Sequence, residues 1–174
     1  MARTIVLLRG INVSGKNKVP MAGLRTALTR AGFEGVATYI QSGNIAVDTE
    51  LNFEKLSATI GALLTDNFDV SVPVVCVTQR DIEDLEARHP FPDDADPATH
   101  MIYFPKGPVD VDGIAAMDLT KYPSDTIEAS TDAVYVGYGN GQSKTKLTLA
   151  ALEKAAGTSL TGRNLRSVAK LRDL

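Results

Sequence analysis

The hydrophobic and polar positions in the first half of the chain alternate between strand-like and helix-like spacing. The apolar run 5–8 is typical of a strand buried on both faces. Apolar residues then recur at helical spacing from Met21 to Ala31, and Gly32 is expected to end that helix. The remaining pattern predicts strands at 38–41, 45–47 and 70–77, and a helix capped by Asn52 with Leu56, Ile60, Leu63 and Leu64 as its apolar stripe. The element order is therefore βαββαβ, as in a ferredoxin-like unit.

This order predicts the arrangement of the sheet and brings two distant loops together. If both crossovers are right-handed, the first and second strands run parallel with the third between them, in the order 4-1-3-2. The loop of residues 9–18 follows the first strand, and the turn of residues 42–44 joins the second and third strands. Both then lie at the same end of the sheet, so we expect the two loops to be neighbours.

The second half of the chain repeats this order of elements. Its apolar segments predict strands at 101–104, 126–129 and 134–136, and helices at 111–117 and 147–156. In place of a final strand we expect a C-terminal helix capped by Thr161, with Leu165, Val168 and Leu171 buried. The predicted fold class is α+β: two ferredoxin-like, βαββαβ-type units in tandem, with antiparallel sheets and a C-terminal helix. The predicted boundaries are 1–78 for the first unit, 79–97 for a connecting helix and proline-rich linker, and 98–174 for the second unit.

Composition and charge add a cellular context. No apolar run approaches the roughly 20 residues of a bilayer-spanning helix, so no membrane partner is predicted. The single cysteine, Cys76, cannot form an internal disulfide and fits a reducing cytoplasm. The net charge of −3 is unevenly distributed: residues 1–33 contain six basic residues and no acidic one, and residues 144–174 contain seven basic and two acidic ones. Such basic ends are expected to attract an anion.

The loop of residues 9–18 is the strongest candidate for a binding surface. It carries three positive charges and several polar side chains, and its glycines allow backbone N–H groups to turn towards a ligand. A helix N-terminus, which favours negative charge, follows it. A plain turn would explain Gly10 and Gly15 equally well. The candidate ligand-binding residues in this loop and the neighbouring turn are Arg9, Asn12, Ser14, Lys16, Asn17, Lys18, Ser42 and Asn44.

Two further polar stretches lie towards the C-terminus. The segment 137–146 follows a strand and precedes a helix, but Ser143 stands where a nucleotide-binding P-loop requires the glycine before lysine. We therefore exclude such a loop and keep Lys144 as a candidate phosphate contact. Arg163 and Asn164 are predicted in the first turn of the C-terminal helix, where the helix dipole disfavours a cation. A bound anion or a salt bridge to a carboxylate would explain Arg163 there, and both residues are candidate ligand contacts.

The sequence contains no catalytic constellation. Both histidines, His89 and His100, flank the proline-rich linker and are interpreted as structural, and no ligand spacing predicts a metal site. No carboxylate lies within the three polar stretches, so acid–base chemistry there would need a lysine or a tyrosine. Whether the protein is an enzyme stays open at this point, and no cofactor is predicted.

Several motifs spread over the chain resemble those of the DUF1697 family. They are Leu7–Val13, Lys16–Met21, Tyr39–Asn44, Pro90-Phe91, Ser143-Lys144 and the terminal pattern from Thr161 to Leu171. The resemblance implies two fused ferredoxin-like units and brings no established biochemical activity. The chain differs from the family pattern at Ser14, where the loop commonly has glycine, and at Leu165, where the terminal motif commonly has tryptophan.

From these observations we predict a cytoplasmic protein that binds a phosphate-bearing ligand, either a nucleotide or an RNA segment. The ligand is expected to lie across the loop of residues 9–18 and the turn of residues 42–44, and to extend to Arg163 and Asn164. Two alternatives stay open. One is an enzyme that uses Lys16 or Lys144 on an anionic metabolite. The other is a protein-interaction module whose basic ends bind an acidic partner.

Overall fold

The computed structural model describes residues 1–174 and contains two four-stranded antiparallel sheets. The strands are β1 (Ala2–Leu8), β2 (Glu34–Tyr39), β3 (Asn44–Thr49), β4 (Val74–Thr78), β5 (His100–Pro105), β6 (Asp125–Ser130), β7 (Ala133–Tyr138) and β8 (Leu160–Asn164). The helices are α1 (Met21–Arg30), α2 (Phe53–Phe68), α3 (Gln79–Ala87), α4 (Val111–Ala115), α5 (Leu149–Ala156) and α6 (Leu165–Arg172). These elements confirm the predicted α+β class with tandem ferredoxin-like sheets. None of the six helices combines the length and the apolar character that crossing a membrane requires.

The contacts within the chain divide it into two units. The first consists of Met1–Glu83 together with Lys170–Leu174, and the second of Asp84–Ala169. Within the first unit, Arg3 Nη2 donates a hydrogen bond of 2.6 Å to the Leu174 carbonyl. The unit boundaries predicted from the sequence, at residues 78 and 97, stay predictions.

The first sheet has the predicted strand order, β2-β3-β1-β4, and every neighbouring pair is antiparallel. Its inner strand β1 is fully buried from Ile5 to Leu8, as the unbroken apolar run predicts. The edge strand β4 begins at Val74 rather than at Val70. Pro73 has no N–H to donate to a ladder, and its carbonyl accepts a hydrogen bond of 3.2 Å from Arg9 N–H at the end of β1.

Helices α1 and α2 share one hydrophobic core with one face of this sheet. The core includes the predicted stripe of α2 and the alternate β1 residues Val6 and Leu8. From the predicted stripe of α1 it includes Met21, Leu24 and Leu28, whereas Ala31 follows the helix end and is exposed. Helix α2 starts as predicted, because Asn52 Oδ1 accepts a hydrogen bond of 2.9 Å from Lys55 N–H. At the start of α3, Thr78 and Asp81 form a capping box in which each N–H donates to the other side chain, at 2.8 and 3.0 Å.

The second unit has the strand order β6-β7-β5-β8, and its last strand corrects a prediction. We expected a C-terminal helix in place of that strand, which is wrong. Strand β8 pairs antiparallel with β5, from Asn164 opposite Met101 to Leu160 opposite Pro105, and α6 follows it. The second unit therefore completes the same βαββαβ order as the first.

The composition of β8 explains why the sequence pattern missed it. Gly162 and Asn164 are residue types depleted in strands, but pairing with β5 outweighs local propensity. Thr161, predicted as a helix cap, is a buried strand residue whose hydroxyl has no hydrogen-bond partner. The cap lies three residues later, where Asn164 Oδ1 accepts a hydrogen bond of 2.9 Å from Ser167 N–H.

Candidate functional site

The loop after β1, which we call the opening loop (residues 9–18), contains a tight hairpin turn. Lys16 N–H donates a hydrogen bond of 2.9 Å to the Val13 carbonyl, and the same two residues form a β-bridge. Both central residues have positive φ, Ser14 at 50° and Gly15 at 76°, as a type I′ turn requires. The opening loop therefore has a defined hairpin conformation rather than that of an open connection.

Asn12 holds the opening loop in place. Its Nδ2 donates to two carbonyl oxygens, those of Val19 at 3.0 Å and Gln41 at 2.9 Å. Its Oδ1 accepts from Val19 N–H at 2.8 Å, and its own N–H donates to the Asn17 carbonyl at 3.0 Å. Because Gln41 lies in the turn between β2 and β3, the prediction that the two loops are neighbours is confirmed. The Asn12 amide is thus already engaged within the protein on both of its atoms.

Asn17 and Asn44, the other asparagines predicted to bind a ligand in these two loops, also form side-chain hydrogen bonds within the first unit. Asn17 Nδ2 donates to the Gly10 carbonyl at 2.9 Å and closes the base of the opening loop. Asn44 is fully buried at the start of β3. Its Nδ2 donates to the Tyr39 carbonyl at 3.1 Å and to Ser42 Oγ at 3.0 Å, which braces the turn from within.

Unlike these asparagines, Lys16 and Lys18 do not use their side chains in hydrogen bonds within the protein. Both side chains are exposed, and neither ammonium group forms a hydrogen bond or an ion pair. Arg9 is half-buried at the end of β1. Arg25, on the following helix, donates a hydrogen bond of 2.7 Å to Thr38 Oγ1. In the opening loop, Lys16 and Lys18 are therefore exposed cations whose ammonium groups have no hydrogen-bond or ion-pair partner in the protein.

The opening loop leads into the N-terminus of α1. Pro20 occupies the N-cap position, and its carbonyl accepts a hydrogen bond of 2.9 Å from Leu24 N–H. No side chain caps this end and the first turn contains no acidic residue. The partial positive charge of the helix end is therefore not offset by a local carboxylate.

Backbone strain is concentrated in the opening loop and the turn between β2 and β3. Asn12, Ser14, Asn17 and Ile40 all have φ between 48° and 54°. Asparagine tolerates this left-handed region, but for a β-branched residue such as Ile40 it is a genuine outlier, at a cost of about 1–2 kcal/mol. Ile40 is also 50% exposed, and Val13 is 57% exposed. Strained residues of this kind cluster at binding sites, where the surrounding structure holds them.

The candidate residues of the second unit occupy three different environments. Arg163 does not lie in a helix, so the dipole argument made for it is wrong. It is a β8 residue only 7% exposed, and burial lowers its pKa to about 10. Its Nη1 donates a hydrogen bond of 2.8 Å to the Gly162 carbonyl. Asn164 caps α6 as described above, and Lys144 is exposed at the end of a short 3-10 turn, residues 142–144.

The histidines and the cysteine have structural surroundings. His89 Nδ1 accepts a hydrogen bond of 3.2 Å from Phe91 N–H, and the Phe91 ring also packs edge-on against His100 at 4.7 Å between centroids. Burial raises the pKa of Cys76 from 9.0 to about 12, so its thiol is a poor nucleophile at neutral pH. No three His, Cys, Asp or Glu side chains converge in a way that could hold a metal ion.

Sequence reasoning missed two groups of residues. The backbone carbonyl of Gln41 accepts the hydrogen bond that joins the two loops, and Ile40 has a strained φ angle in the same turn. A pattern of side chains reveals neither of these features. In the second unit, Lys144 lines a cavity, and sequence reasoning missed the other residues around it, among them Lys121, Ser124, Asp125 and Asn140. The available signal was the β6–β7 hairpin, because its register places Asp125 opposite Tyr138 and so brings the loops at that end together.

The two βαββαβ sheets define a tandem ferredoxin-like α+β protein. The family model described as "Protein of unknown function (DUF1697)" matches residues 1–135, and the chain belongs to this family. It is also similar to a solved structure, that of the conserved bacterial protein SP0830 from Streptococcus pneumoniae. The two chains are 26% identical, with a TM-score of 0.73, and the match covers 98% of this chain and 97% of that chain. A search of curated proteins finds no match.

Proposed function

We propose that the protein binds a phosphate-bearing ligand, a nucleotide or an RNA segment, on the opening loop. The observation that carries the proposal is the contrast within this loop. Its amide side chains are bonded inside the protein, whereas Lys16 and Lys18 are exposed and unpaired. A braced loop with two free ammonium groups suits a polyanion, because lysine contacts phosphate as a mobile point charge.

The surroundings of the lysines support the same class of ligand. The uncapped N-terminus of α1 follows Lys18 closely in sequence and favours negative charge. Val13 and Ile40 are exposed aliphatic side chains next to the bonded pair Asn12 and Gln41. They offer apolar contact to a ribose or a base, although no exposed aromatic ring in these loops provides a stacking platform.

Fluorescence anisotropy with labelled single-stranded RNA of about ten nucleotides tests the proposal, and unlabelled ATP and RNA serve as competitors. The double variant Lys16→Ala/Lys18→Ala is expected to bind about tenfold more weakly than the wild type, or about 0.7 kcal/mol for each lysine. Competition by ATP at concentrations similar to RNA would identify a nucleotide site, whereas competition by RNA alone would identify a nucleic-acid site.

The matched control is Arg30→Ala/Lys55→Ala, which removes two exposed cations from the same unit. It should retain wild-type binding within about twofold, because the proposed contacts lie on the opening loop. Attraction that depends on total charge alone would instead weaken binding equally in both double variants. Equal losses in both double variants would show that the opening loop is not a site. Absence of wild-type binding both to the labelled RNA and to ATP, the latter measured by titration calorimetry, would overturn the proposal.

A further inference from the structure

The second unit contains a cavity of about 200 Å³ at the open end of the β6–β7 hairpin, where β6 begins and β7 ends. It lies between the loop that precedes β6 and the loop that follows β7. The side chains used in the argument below are Lys121, Ser124, Asp125, Asn140, Lys144 and Lys146. All of its lining residues belong to this unit and none to the opening loop, so a site here is independent of the function proposed above.

Direct hydrogen bonds between the two loops hold the cavity open. Gly139 N–H donates to the Ser124 carbonyl at 2.9 Å, and Asn140 Nδ2 donates to Ser124 Oγ at 2.8 Å. On the other side, Thr145 Oγ1 donates to the Asp125 carboxylate. The Thr145 hydroxyl oxygen in turn accepts from Leu147 N–H at 2.9 Å. The walls are therefore joined to each other without a ligand, which lowers the cost of ordering them on binding.

The charge around the cavity is predominantly positive. Lys121, Lys144 and Lys146 contribute three ammonium groups, and Asp125 is the single carboxylate among the lining residues. The Asp125 carboxylate already accepts the Thr145 hydroxyl. Lys121 lies 3.8 Å from Asp118 in an exposed pair, which is worth little in water, and Lys144 and Lys146 have no ion-pair partner. The lysines are thus available to a ligand with more than one negative charge.

The size of the cavity limits what the ligand can be. Pockets for drug-sized ligands and cofactors measure about 300–1,000 Å³, which is larger than this one. The loop after β7 also lacks the glycine-lysine pair that holds a nucleoside triphosphate. An extended nucleic-acid strand or a whole nucleotide therefore fits poorly, whereas a compact oxyanion fits.

We propose that this cavity is a binding site for a small multiply charged oxyanion, namely the phosphate group of a low-mass metabolite. Lys144 and Lys146 contact the phosphate oxygens from one loop, and Lys121 contacts them from the other. The Ser124 hydroxyl and the Asn140 amide, which are bonded to each other at the rim, orient the rest of the molecule.

Amide NMR spectra recorded during titration with sodium pyrophosphate, at constant ionic strength, test this proposal. We expect saturable shifts confined to residues 121–125 and 139–147, and a smaller effect of chloride at the same ionic strength. The variant Lys144→Ala/Lys146→Ala should lose at least about tenfold in affinity, since both phosphate contacts from one loop are removed. Lys106→Ala/Lys154→Ala, which removes two exposed lysines elsewhere in the same unit, should bind within about twofold of the wild type.

Three outcomes would overturn the proposal. The first is a set of shifts that never saturate or that are spread over all lysine-containing segments. The second is equal loss of affinity in the two double variants. The third is unchanged affinity in Lys144→Ala/Lys146→Ala. Because all four substituted lysines are exposed, the amide spectra themselves show whether each variant is folded before any anion is added.

Discussion

The side-chain amide of Asn12 donates a hydrogen bond of 2.9 Å to the backbone carbonyl of Gln41. This contact joins the opening loop to the turn between β2 and β3, two segments separated by 29 positions in the sequence. It follows from the βαββαβ topology, because that topology places the end of β1 and the β2–β3 turn at the same end of the sheet. Asn12 itself has a left-handed backbone conformation, with φ at 54°, which asparagine tolerates better than most other residues do.

We predict that Asn12→Ala destabilises the protein by about 2–3 kcal/mol, because three side-chain hydrogen bonds are lost and two carbonyl groups lose a donor. Gln41→Ala is the matched control, since it keeps the carbonyl that Asn12 contacts, and it should change the free energy of unfolding by less than about 0.5 kcal/mol. Urea denaturation measures both values. Similar losses in the two variants would show that Asn12 does not brace the loop.

Ser14 lies at a position that suits glycine, as its φ of 50° in the type I′ turn indicates. We predict that Ser14→Gly raises the free energy of unfolding by up to about 1 kcal/mol, because it removes the left-handed strain of a side-chain-bearing residue. Thermal unfolding monitored by circular dichroism measures the effect, and a lower midpoint for Ser14→Gly would contradict the strain argument.

Gly43 combines positive φ with a close approach between two segments. A Cβ at Gly43 would lie 2.7 Å from Leu8 Cβ and 3.0 Å from Ile11 Cδ1, both buried. We therefore predict that Gly43→Ala costs at least about 3 kcal/mol, of which backbone strain accounts for about 1–2. Gly10→Ala is the control for strain alone, because its φ is 67° and its Cβ would meet no atom within 4 Å. Equal unfolding free energies for the two variants would refute the steric part of this prediction.

Tyr103 and Tyr138 form a buried pair in the second unit, with 2.6 Å between their hydroxyl oxygens. Burial raises the pKa of both groups, so the pair is neutral at ordinary pH. We predict that Tyr103→Phe and Tyr138→Phe each cost about 1–2 kcal/mol, since the remaining hydroxyl stays buried without its partner. The double variant should cost less than the sum of the two, with a coupling of at least about 0.5 kcal/mol. Additive losses in the double-mutant cycle would contradict a mutual hydrogen bond.

Cys76 makes stability depend on pH in the alkaline range. The folded thiol has its pKa raised from 9.0 to about 12, so between these values the unfolded chain releases a proton that the folded chain retains. The contribution of Cys76 is therefore fully present below pH 9 and decreases as the pH rises from 9 towards 12. We expect Cys76→Ala to show a smaller loss of stability than the wild type over this range. Identical pH profiles for the two proteins would show that the thiol does not titrate differently on unfolding.

The sequence pattern was sufficient for the order of elements and strands in the first unit, but not for every strand boundary, because the local signals and the topology of this unit agree. Ile5 to Leu8 form an unbroken apolar strand, and Asn52 and Thr78 carry the cap chemistry that marks two helix starts. The strand order then followed from the handedness of the crossovers. Such agreement between local and global preferences is typical of well-determined regions of a fold.

The parts that the sequence could not predict depend on tertiary contacts. Strand β8 contains Gly162 and Asn164 and pairs with β5 against its own propensity. Arg163 lies in that strand and is buried, so its predicted helical position was wrong. At the candidate site, the charges of Lys16 and Lys18 were visible in the sequence. The backbone carbonyl of Gln41 and the strained φ of Ile40 were not, because they arise only when the two loops meet.

The most direct test of the proposed function is the salt dependence of RNA binding by the wild type and by Lys16→Ala/Lys18→Ala. Each phosphate contact to a single strand contributes about 0.7 to the slope of log K against log salt concentration, so losing two contacts should make the slope shallower by about 1.4. The control Arg30→Ala/Lys55→Ala should keep the wild-type slope. A double lysine variant with the wild-type slope and affinity would contradict phosphate binding by the opening loop.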